Sequence, residues 1–429
     1  MIEKIKEHKI KIISIVVGLA LAASIVVAVK RHYATPPTYK MGQVEVEKEE
    51  PKAIEPPKVF HIKTPPYVKA AYVTSWVATL KERRSKLVQL INTTELNAIV
   101  IDIKDFSGKV LFDTNDPEIK KIGNEDIRMK DLRAWIEELH KNNIYVIARL
   151  TVFQDPLYAE KFPDQAVQTD TGKVWRDRNN LAFVDVSSQQ FWDYIIRIAK
   201  AAEQAGFDEI NFDYIRFPSD GNMKNIKFPK SGPEAEGKDN RQTRLQKLLV
   251  AKKASPNAVA TPNIVDLKSP KQIKLEAFFK YLHTEMQPVG IPISADLFGM
   301  ITTNHDDLGI GQVLESAAPY FDYICPMVYP SHYPRGYLNY NNPADHPYEI
   351  VHYAMSEGVK RIKKMKLDPQ KLRPWLQDFN MGATYDVAKV KAQIKATHDS
   401  GLHSYLMWDP RNKYTKGAYT VTQNEQVTH

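Results

Sequence analysis

Eight short runs rich in β-branched and aromatic residues follow one another along the chain, and segments with helical periodicity lie between them. The strand-like runs span residues 69–76, 97–105, 144–153, 207–218, 291–300, 321–330, 372–379 and 404–410. Amphipathic segments at 129–143, 188–206 and 386–401 place apolar residues on one helical face, and the last two end in glycine, a common helix stop. This alternation predicts an α/β protein with a (β/α)8 barrel, the TIM-barrel fold.

A doubly wound open sheet is the alternative architecture. Such sheets often carry a glycine-rich phosphate-binding fingerprint after the first strand. No fingerprint of that kind follows residues 69–76, and the isolated Gly309-Ile310-Gly311 lies in a predicted loop. Two features depart from a plain barrel: the connection 219–290 is long, and only about twenty residues follow the eighth run, so the last helix is expected to be short or absent.

The N-terminus carries a long apolar segment. Residues 12–29 contain no charged side chain, four lysines precede them and Lys30-Arg31 follow. The segment exceeds the roughly 7–15 apolar residues of a secretory signal and approaches the roughly 20 that cross a bilayer. No clean cleavage site follows it. We expect an uncleaved signal anchor with a cytoplasmic N-terminus; a cleaved signal and a buried core helix are the alternatives.

The predicted domain layout has four parts. Residues 1–31 form a cytoplasmic stub and the transmembrane anchor, 32–67 a proline-rich linker, 68–415 the barrel and 416–429 a tail. The linker is interpreted as a semi-rigid tether because prolines resist both helix and sheet. The predicted location is the cell membrane, crossed once, with the barrel outside the cytoplasm.

Composition excludes several classes of site. The formal charge is +8, but six basic and two acidic residues in the first 31 positions account for +4, so the body is too close to neutral to indicate nucleic-acid binding. The single cysteine, Cys325, excludes a disulfide framework and a cysteine-ligated zinc site, and it is interpreted as a small buried side chain. No HExxH, GxSxG or Walker motif is present. We expect no metal and no cofactor.

Polar side chains gather where the predicted strands end. Barrel enzymes carry their sites at the C-terminal ends of the strands, so we expect one polar mouth there. Tyr72, Trp76, Trp175 and Tyr333 lie near the same ends, and aromatic rings beside carboxylates suit sugars, whose CH faces stack on rings. The side chains predicted to bind substrate are Asp102, Lys104, Arg149, Arg216, Tyr329, His332, Gln377 and Trp408.

Glycoside hydrolysis needs two carboxyl groups, one protonated and one ionised. Asp213 is the predicted nucleophile or base, because Arg216 follows closely and favours the ionised form. Asp296 is the predicted general acid, because its apolar sequence context raises a carboxyl pKa. Asp378, on the seventh run, would orient sugar hydroxyls or assist the acid.

Structural roles are the alternatives for the same side chains. They are, in chain order, a buried ion pair between Asp102 and Lys104, a salt bridge from Asp213 to Arg149 or Arg216, a capping role for Asp296 and an outward orientation of Asp378 toward a helix terminus.

Four strings occur in barrel order: AIVIDIKD, FDEINFDYIRFPSDG, DYICPMVYPSHY and RPWLQDF. Together they resemble a bacterial family of glycosyl-hydrolase barrels, domain-of-unknown-function family 4015, over residues 68–410. The resemblance implies a TIM barrel that acts on an α- or β-linked polysaccharide. In the distantly similar alpha-amylase clan, the nucleophile ends strand 4, the acid lies on strand 5 and a stabilising aspartate on strand 7, which implies Asp213, Asp296 and Asp378. The chain departs from that clan at Asn211, where the clan has arginine, and at Asp296, where it has glutamate.

Three functions follow from these observations. The first is a membrane-anchored, extracytoplasmic glycoside hydrolase that acts on a cell-wall or extracellular polysaccharide. The second is a catalytically inactive barrel that binds glycan as a cell-envelope scaffold. The third is a barrel hydrolase or lyase that acts on a non-sugar substrate. The expected partners are the polysaccharide and the membrane, and not nucleic acid.

Overall fold

Eight parallel strands close into a barrel in the computed structural model, which describes residues 59–236 and 268–421. Each strand pairs with its neighbour in chain order, and β8 pairs with β1. The predicted barrel is therefore confirmed, although its strands are shorter than the predicted runs because the C-terminal residues of the runs turn into loops. The strands are β1 (Lys69–Val73), β2 (Ala98–Lys104), β3 (Tyr145–Thr151), β4 (Glu209–Asp213), β5 (Ile293–Phe298), β6 (Tyr323–Met327), β7 (Trp375–Gln377) and β8 (Tyr405–Trp408).

Helices lie between the strands, and α4, α6 and α10 match the three predicted helical segments. The helix α6 begins after Ser188, whose side chain accepts a hydrogen bond from Phe191 N, and ends at Gly206, whose φ of 110° suits glycine. Within the described residues the helices are α1 (Ser75–Ala78), α2 (Lys81–Asn92), α3 (Pro117–Ile122), α4 (Leu132–Lys141), α5 (Pro156–Lys161), α6 (Gln189–Ala205), α7 (Pro270–Met286), α8 (Leu314–Ala317), α9 (Pro347–Lys364) and α10 (Val387–Asp399).

Side chains that face inward fill the barrel, and the opposite face of each strand packs against the helices. Successive side chains of a strand point to opposite faces, so each strand contributes to both layers. On β4, the residues Glu209, Asn211 and Asp213 share the inward face, and all three are buried. The apolar part of the interior is built from Val68, Ala70, Tyr72, Ala98, Val100, Tyr145, Ile147, Cys325, Tyr329, Trp375 and Leu406.

Residues 59–67, the last part of the predicted linker, contact the N-terminal end of the barrel. Ile62 N donates to Asp208 Oδ1 at 2.8 Å, just before β4. The hydroxyl groups of Thr64 and Tyr145 are 3.1 Å apart, at the start of β3. These bonds join the segment to the end of the barrel opposite the predicted mouth.

The chain divides at Lys58 into a first unit, residues 1–58, and a second unit, residues 59–429. The predicted transmembrane anchor and most of the predicted linker belong to the first unit, which lies outside the described residues. Among residues 59–236 and 268–421, no helix combines the length and the apolar character that a bilayer crossing requires.

The segments that follow β4 and β8 bear out two departures expected from the sequence. In the long β4–β5 connection, Ile226–Lys227 pairs antiparallel with Gln168–Thr169. After β8, the described chain forms a single 3-10 turn, Lys416–Ala418, rather than a full helix. Glu95 N donates to Thr420 O at 2.8 Å, so this segment is fixed against the loop before β2.

Candidate active site

A cavity of about 650 Å³ opens at the C-terminal ends of the strands. Its volume lies within the range of roughly 300–1,000 Å³ that is usual for small-molecule sites. The structure brings together eight of the eleven predicted site residues here: Asp102, Arg149, Asp213, Arg216, Asp296, Tyr329, His332 and Trp408. Of the four further aromatic residues, Tyr72 and Trp76 line the cavity, whereas Trp175 and Tyr333 are not part of its lining.

Arg149 of β3 lies at the centre of the cavity floor and faces three carboxyl groups. Its Nη1 donates to Asp102 Oδ1 at 2.7 Å, its Nη2 donates to Asp213 Oδ2, and its Nε lies 3.5 Å from Asp296 Oδ2. The arrangement follows from the fold, because these residues end four successive strands. One guanidinium balances one negative charge, so in this buried setting the electrostatics oppose ionisation of all three carboxyl groups.

Burial raises the pKa of two of these three carboxyl groups, Asp102 and Asp296. Burial, the largest cause, and the neighbouring Asp213 together raise the pKa of Asp296 to about 8, although Arg149 acts in the opposite direction. Asn211 Nδ2 and Trp375 Nε1 both donate to Asp296 Oδ1, at 2.9 and 2.7 Å. Oδ1 accepts both bonds, so a protonated Asp296 would carry its proton on Oδ2, which also lies 3.5 Å from Arg149 Nε. A neutral carboxyl group on a cavity wall can donate that proton to a bound molecule.

Asp213 forms an ion pair with Arg149 and is also held by the backbone. Tyr214 N donates to Asp213 Oδ1 at 2.6 Å. Tyr214 itself has a φ of 53°, in the left-handed region that a bulky side chain rarely adopts. Strain of this kind costs about 1–3 kcal/mol and persists where the surrounding structure enforces it. Here it turns the chain sharply after β4 and places Tyr214 on the cavity wall beside Asp213.

Of the two arginines named as partners of Asp213, Arg149 forms the ion pair, and Arg216, which was expected to favour the ionised form, does not. Arg216 lines the cavity, but its Nη1 donates to Phe217 O and Ser219 Oγ at 3.0 and 3.2 Å. Its guanidinium lies 5.3 Å from the Tyr214 ring centre. The ion pair of Asp213 is made by Arg149 instead, because a residue on the adjacent strand reaches the inward face more directly than a loop residue three positions later.

Three predicted site residues, Lys104, Gln377 and Asp378, lie outside the cavity lining. Lys104 is fully buried and contacts Asp155 and the Thr151 carbonyl, both at 2.9 Å, so the suggested pair of Asp102 with Lys104 is not formed. Gln377 fixes the loop after β6 by accepting a hydrogen bond from Ser331 Oγ at 2.9 Å.

Asp378 requires the largest correction, because it faces the C-terminal segment. Its carboxylate accepts hydrogen bonds from Thr415 N, Thr415 Oγ1 and Tyr419 Oη at 2.8, 2.6 and 3.0 Å. Burial raises the pKa of Asp378 to about 6. The alternation of side chains explains its position: Trp375 points into the barrel, and Asp378 has the opposite parity. The catalytic role given to Asp378 by sequence and resemblance therefore has no geometric basis.

Sequence reasoning gave no site role to Trp375 or Asn211, and it placed Tyr72 near the strand ends without a partner. Trp375 and Asn211 hold Asp296, and Tyr72 Oη donates to Asp102 Oδ2. The Tyr72 ring also stacks on Trp408, with centroids 4.0 Å apart and planes 16° apart. The alternation of side chains along a strand could have identified Asn211, since Asn211 lies two residues before Asp213 and therefore on the same inward face. Within the described ranges, no group of three or more His, Cys, Asp or Glu side chains is arranged to hold a metal ion.

Comparison with known proteins finds one matching family model and similar solved structures. A family model described as "Putative glycosyl hydrolase domain" matches residues 70–414. Among curated proteins none matches. A hypothetical protein from Ruminiclostridium thermocellum ATCC 27405 is 37% identical over 45% of this chain and 97% of that chain, with a TM-score of 0.36.

Two enzymes are also similar in structure. The alpha-L-fucosidase isoenzyme 2 from Paenibacillus thiaminolyticus is 11% identical over 82% of this chain and 48% of that chain, with a TM-score of 0.51, which shows a shared fold. The catalytic domain of the beta-amylase from Paenibacillus polymyxa is 10% identical over 83% and 96% of the two chains, with a TM-score of 0.46.

Proposed function

The chain belongs to domain-of-unknown-function family 4015, described as "Putative glycosyl hydrolase domain", and from that membership we propose that it hydrolyses glycosidic bonds with Asp296 as the acid and Asp213 as its ionised partner. One observation carries the choice of this pair. Both carboxyl groups are buried at one cavity, but Asp213 accepts a hydrogen bond from the Arg149 guanidinium, whereas Asp296 has a pKa raised to about 8, chiefly by burial. Glycosidases separate acid and base in this way.

The proposed reaction begins with proton transfer from Asp296 to the glycosidic oxygen of the leaving group. The bond between that oxygen and the anomeric carbon breaks, and positive charge develops on the sugar ring. The carboxylate of Asp213 stabilises this charge, either by bonding to the anomeric carbon or by taking a proton from the attacking water. Water supplies the new hydroxyl group. In the covalent route, the ionised Asp296 takes a proton from that water as the bond to Asp213 breaks; in the other route, Asp213 releases the water proton to solvent and Asp296 regains one from solvent. The anomeric configuration of the first product distinguishes the two routes.

Arg149 has a positioning role in this proposal. Its contacts with Asp102 and Asp213 fix the orientation of the carboxylate that faces the sugar. The stacked rings of Tyr72 and Trp408 supply a flat apolar wall against which the CH face of a sugar packs. A substrate is thus held between an aromatic surface and a charged one.

The proposal includes the location and the substrate class. The uncharged segment 12–29, with lysines before it and Lys30-Arg31 after it, supports a membrane anchor that leaves the barrel outside the cytoplasm. A barrel held there would act on a cell-wall or extracellular polysaccharide. Protease accessibility of the barrel in intact cells tests the location without depending on activity.

The first experiment measures release of reducing sugar by the full chain, solubilised in detergent, from a panel of bacterial wall and extracellular polysaccharides. Asp213→Asn is the test variant, and Asp306→Asn, an exposed aspartate outside the cavity lining, is the matched control. We expect release by the wild type and the control, and its loss in Asp213→Asn. Retention of the same polymers by all three proteins without release would instead indicate a glycan-binding scaffold.

A further inference from the structure

Two large aromatic side chains lie exposed at the rim of the cavity. Trp76, on α1, is 64% exposed, and Phe106, in the loop after β2, is 53% exposed. Among the large exposed apolar side chains in the described residues, these two also line the cavity. They therefore extend the apolar surface of the cavity outward, beyond the position of Asp213 and Asp296.

The Trp76 ring is held by Arg128. The guanidinium carbon of Arg128 lies 4.0 Å from the ring centre, a cation–π contact. Arg128 is itself fixed, since its Nη1 donates to Ser75 Oγ at 3.0 Å and to Asp105 Oδ2 at 3.3 Å, and its Nε donates to Asp126 Oδ2 at 2.9 Å. The indole is thereby supported on one side and open to solvent elsewhere.

The backbone that carries Trp76 is also anchored. The side chain of Thr74 caps α1 by accepting a hydrogen bond from Val77 N at 3.2 Å. Thr74 N donates to Asn412 Oδ1 at 3.1 Å, which joins this short helix to the loop after β8. A ligand that packs against Trp76 would meet a surface already in place, so little conformational entropy is lost on binding.

We propose that Trp76 and Phe106 form a second sugar-binding subsite, which takes the neighbouring residue of an oligosaccharide whose scissile bond lies in the cavity. The inference rests on the proposed glycosidase function and adds that the substrate is a chain rather than a single glycoside. The exposed rings would pack against the CH face of that sugar. The continuity of the rings with the cavity, and the guanidinium and carboxylate groups beside them, favour a saccharide over an apolar partner.

The test measures affinity as a function of chain length. The full chain carrying Asp213→Asn is titrated with malto-, cello-, xylo- and chito-oligosaccharides, each from disaccharide to hexasaccharide, by calorimetry. For the series that binds, we expect affinity to rise with length and Trp76→Ala to remove about tenfold of that gain. Tyr353→Ala, which truncates an exposed aromatic residue outside the cavity lining, should retain the full gain.

A second readout uses the exposure of Trp76, the most exposed of the six tryptophans. Oxidation by N-bromosuccinimide should modify Trp76 first, and the longer oligosaccharides should protect it more than the disaccharide does. Equal length dependence with and without Trp76, or no binding in any series, would overturn the subsite. Reducing-sugar release by the wild type in that case would leave the glycosidase proposal standing, whereas length-dependent binding without release would leave only the subsite.

Discussion

The barrel encloses two buried ion-pair networks, one at each end. Near the N-terminal end, Arg373 Nη1 donates to both carboxylate oxygens of Glu209 at 2.8 and 3.1 Å. Near the C-terminal end, Arg149 faces Asp102, Asp213 and Asp296 together. The first network has one acid for one base, and the second has three acids for one base. The difference indicates that each charge of the first network is compensated, whereas the second network holds more carboxyl groups than one guanidinium balances, which favours a retained proton.

The strand β4 contributes to both networks, because Glu209 and Asp213 occupy the same inward face. Glu209 is enclosed between Arg373 and the hydroxyl group of Tyr145, 3.1 Å away. Asp213 instead borders the cavity. One strand therefore supplies a structural carboxylate at one end and a proposed catalytic carboxylate at the other, and substitutions at the two ends should fail in different ways.

The largest effect is expected for Asp296→Asn at the C-terminal network. Loss of the proton donor should lower kcat/KM on a natural glycosidic bond by about 10²–10⁴-fold. The amide oxygen can still accept from Asn211 and Trp375, and an amide needs no proton uptake on folding, so the melting temperature at neutral pH should not fall below that of the wild type. A nitrophenyl glycoside of the same sugar should lose less activity, since its leaving group needs no proton. Equal losses on both substrates would remove Asp296 from the role of acid.

At the N-terminal network, Glu209→Gln should act on stability. Removal of one partner leaves the buried Arg373 charge uncompensated, which costs about 3–5 kcal/mol. The free energy of unfolding, measured with urea, checks this value. The double variant Glu209→Gln with Arg373→Gln is the control and should recover part of the loss. A cost below about 1 kcal/mol would mean that the pair contributes little to the fold.

The pH dependence of activity should report the proton of Asp296. Burial raises its pKa to about 8, so the proton present at neutral pH is lost as the pH rises through that value. We expect kcat/KM to fall by about tenfold per pH unit above about pH 8. The residual activity of Asp296→Asn should lack this alkaline limb. A limb that persists in the variant would belong to another group.

The stability of the protein should also depend on the protonation of Asp296. Because the pKa of Asp296 is raised on folding, its contribution to stability should fall as the pH rises, whereas a carboxylate with a lowered pKa contributes more at higher pH. The unfolded chain releases this proton near pH 4, whereas the folded protein holds it to about pH 8. The contribution of Asp296 to the unfolding free energy is therefore complete below about pH 4 and is lost as the pH rises to about 8. Urea unfolding of the wild type and of Asp296→Asn at pH 5 and pH 8 checks this. Between the two pH values, the unfolding free energy of the wild type should fall by more than that of the variant.

The smallest effect is expected for Asp378→Asn, outside both networks. Its hydrogen bonds to Thr415 and Tyr419 hold the C-terminal segment, and a neutral amide should weaken them by about 1 kcal/mol. Turnover should fall far less than in Asp296→Asn. Limited proteolysis near the C-terminus should be faster than in the wild type. A loss of turnover as large as that of Asp296→Asn would restore the catalytic role that the sequence gave this residue.

The alternation of strands and helices is recorded locally in the sequence, so the barrel could be predicted from it. The mouth could be predicted as well, because parallel strands bring their C-terminal ends together. The direction in which each side chain points at a strand end was harder to predict from the sequence. Asp378 and Lys104 both follow apolar runs as a site residue would, yet they contact the C-terminal segment and Asp155.

Contacts between side chains on different strands were also difficult to predict from the sequence. The sequence named both Arg216 and Arg149 as possible partners of Asp213 and gave Arg216 the role of favouring its ionised form, whereas Arg149 reaches Asp213 from the neighbouring strand. Trp375, which donates to Asp296, lies 79 positions away along the chain. Contacts of this kind depend on the register between strands, and a single sequence records register only through the parity of its inward residues.

The closure of the barrel between its first and last strands has a consequence for how the protein is made. Val68 N donates to Ser404 Oγ, and 336 positions separate the two residues. The strand β1 leaves the ribosome early and has no partner on that edge until β8 has been synthesised. Contacts so distant in sequence slow folding, because loop closure costs entropy before the contact repays it. Since the cavity is formed by strand ends around the whole circle, a nascent chain that stops before β8 has neither a closed barrel nor a site.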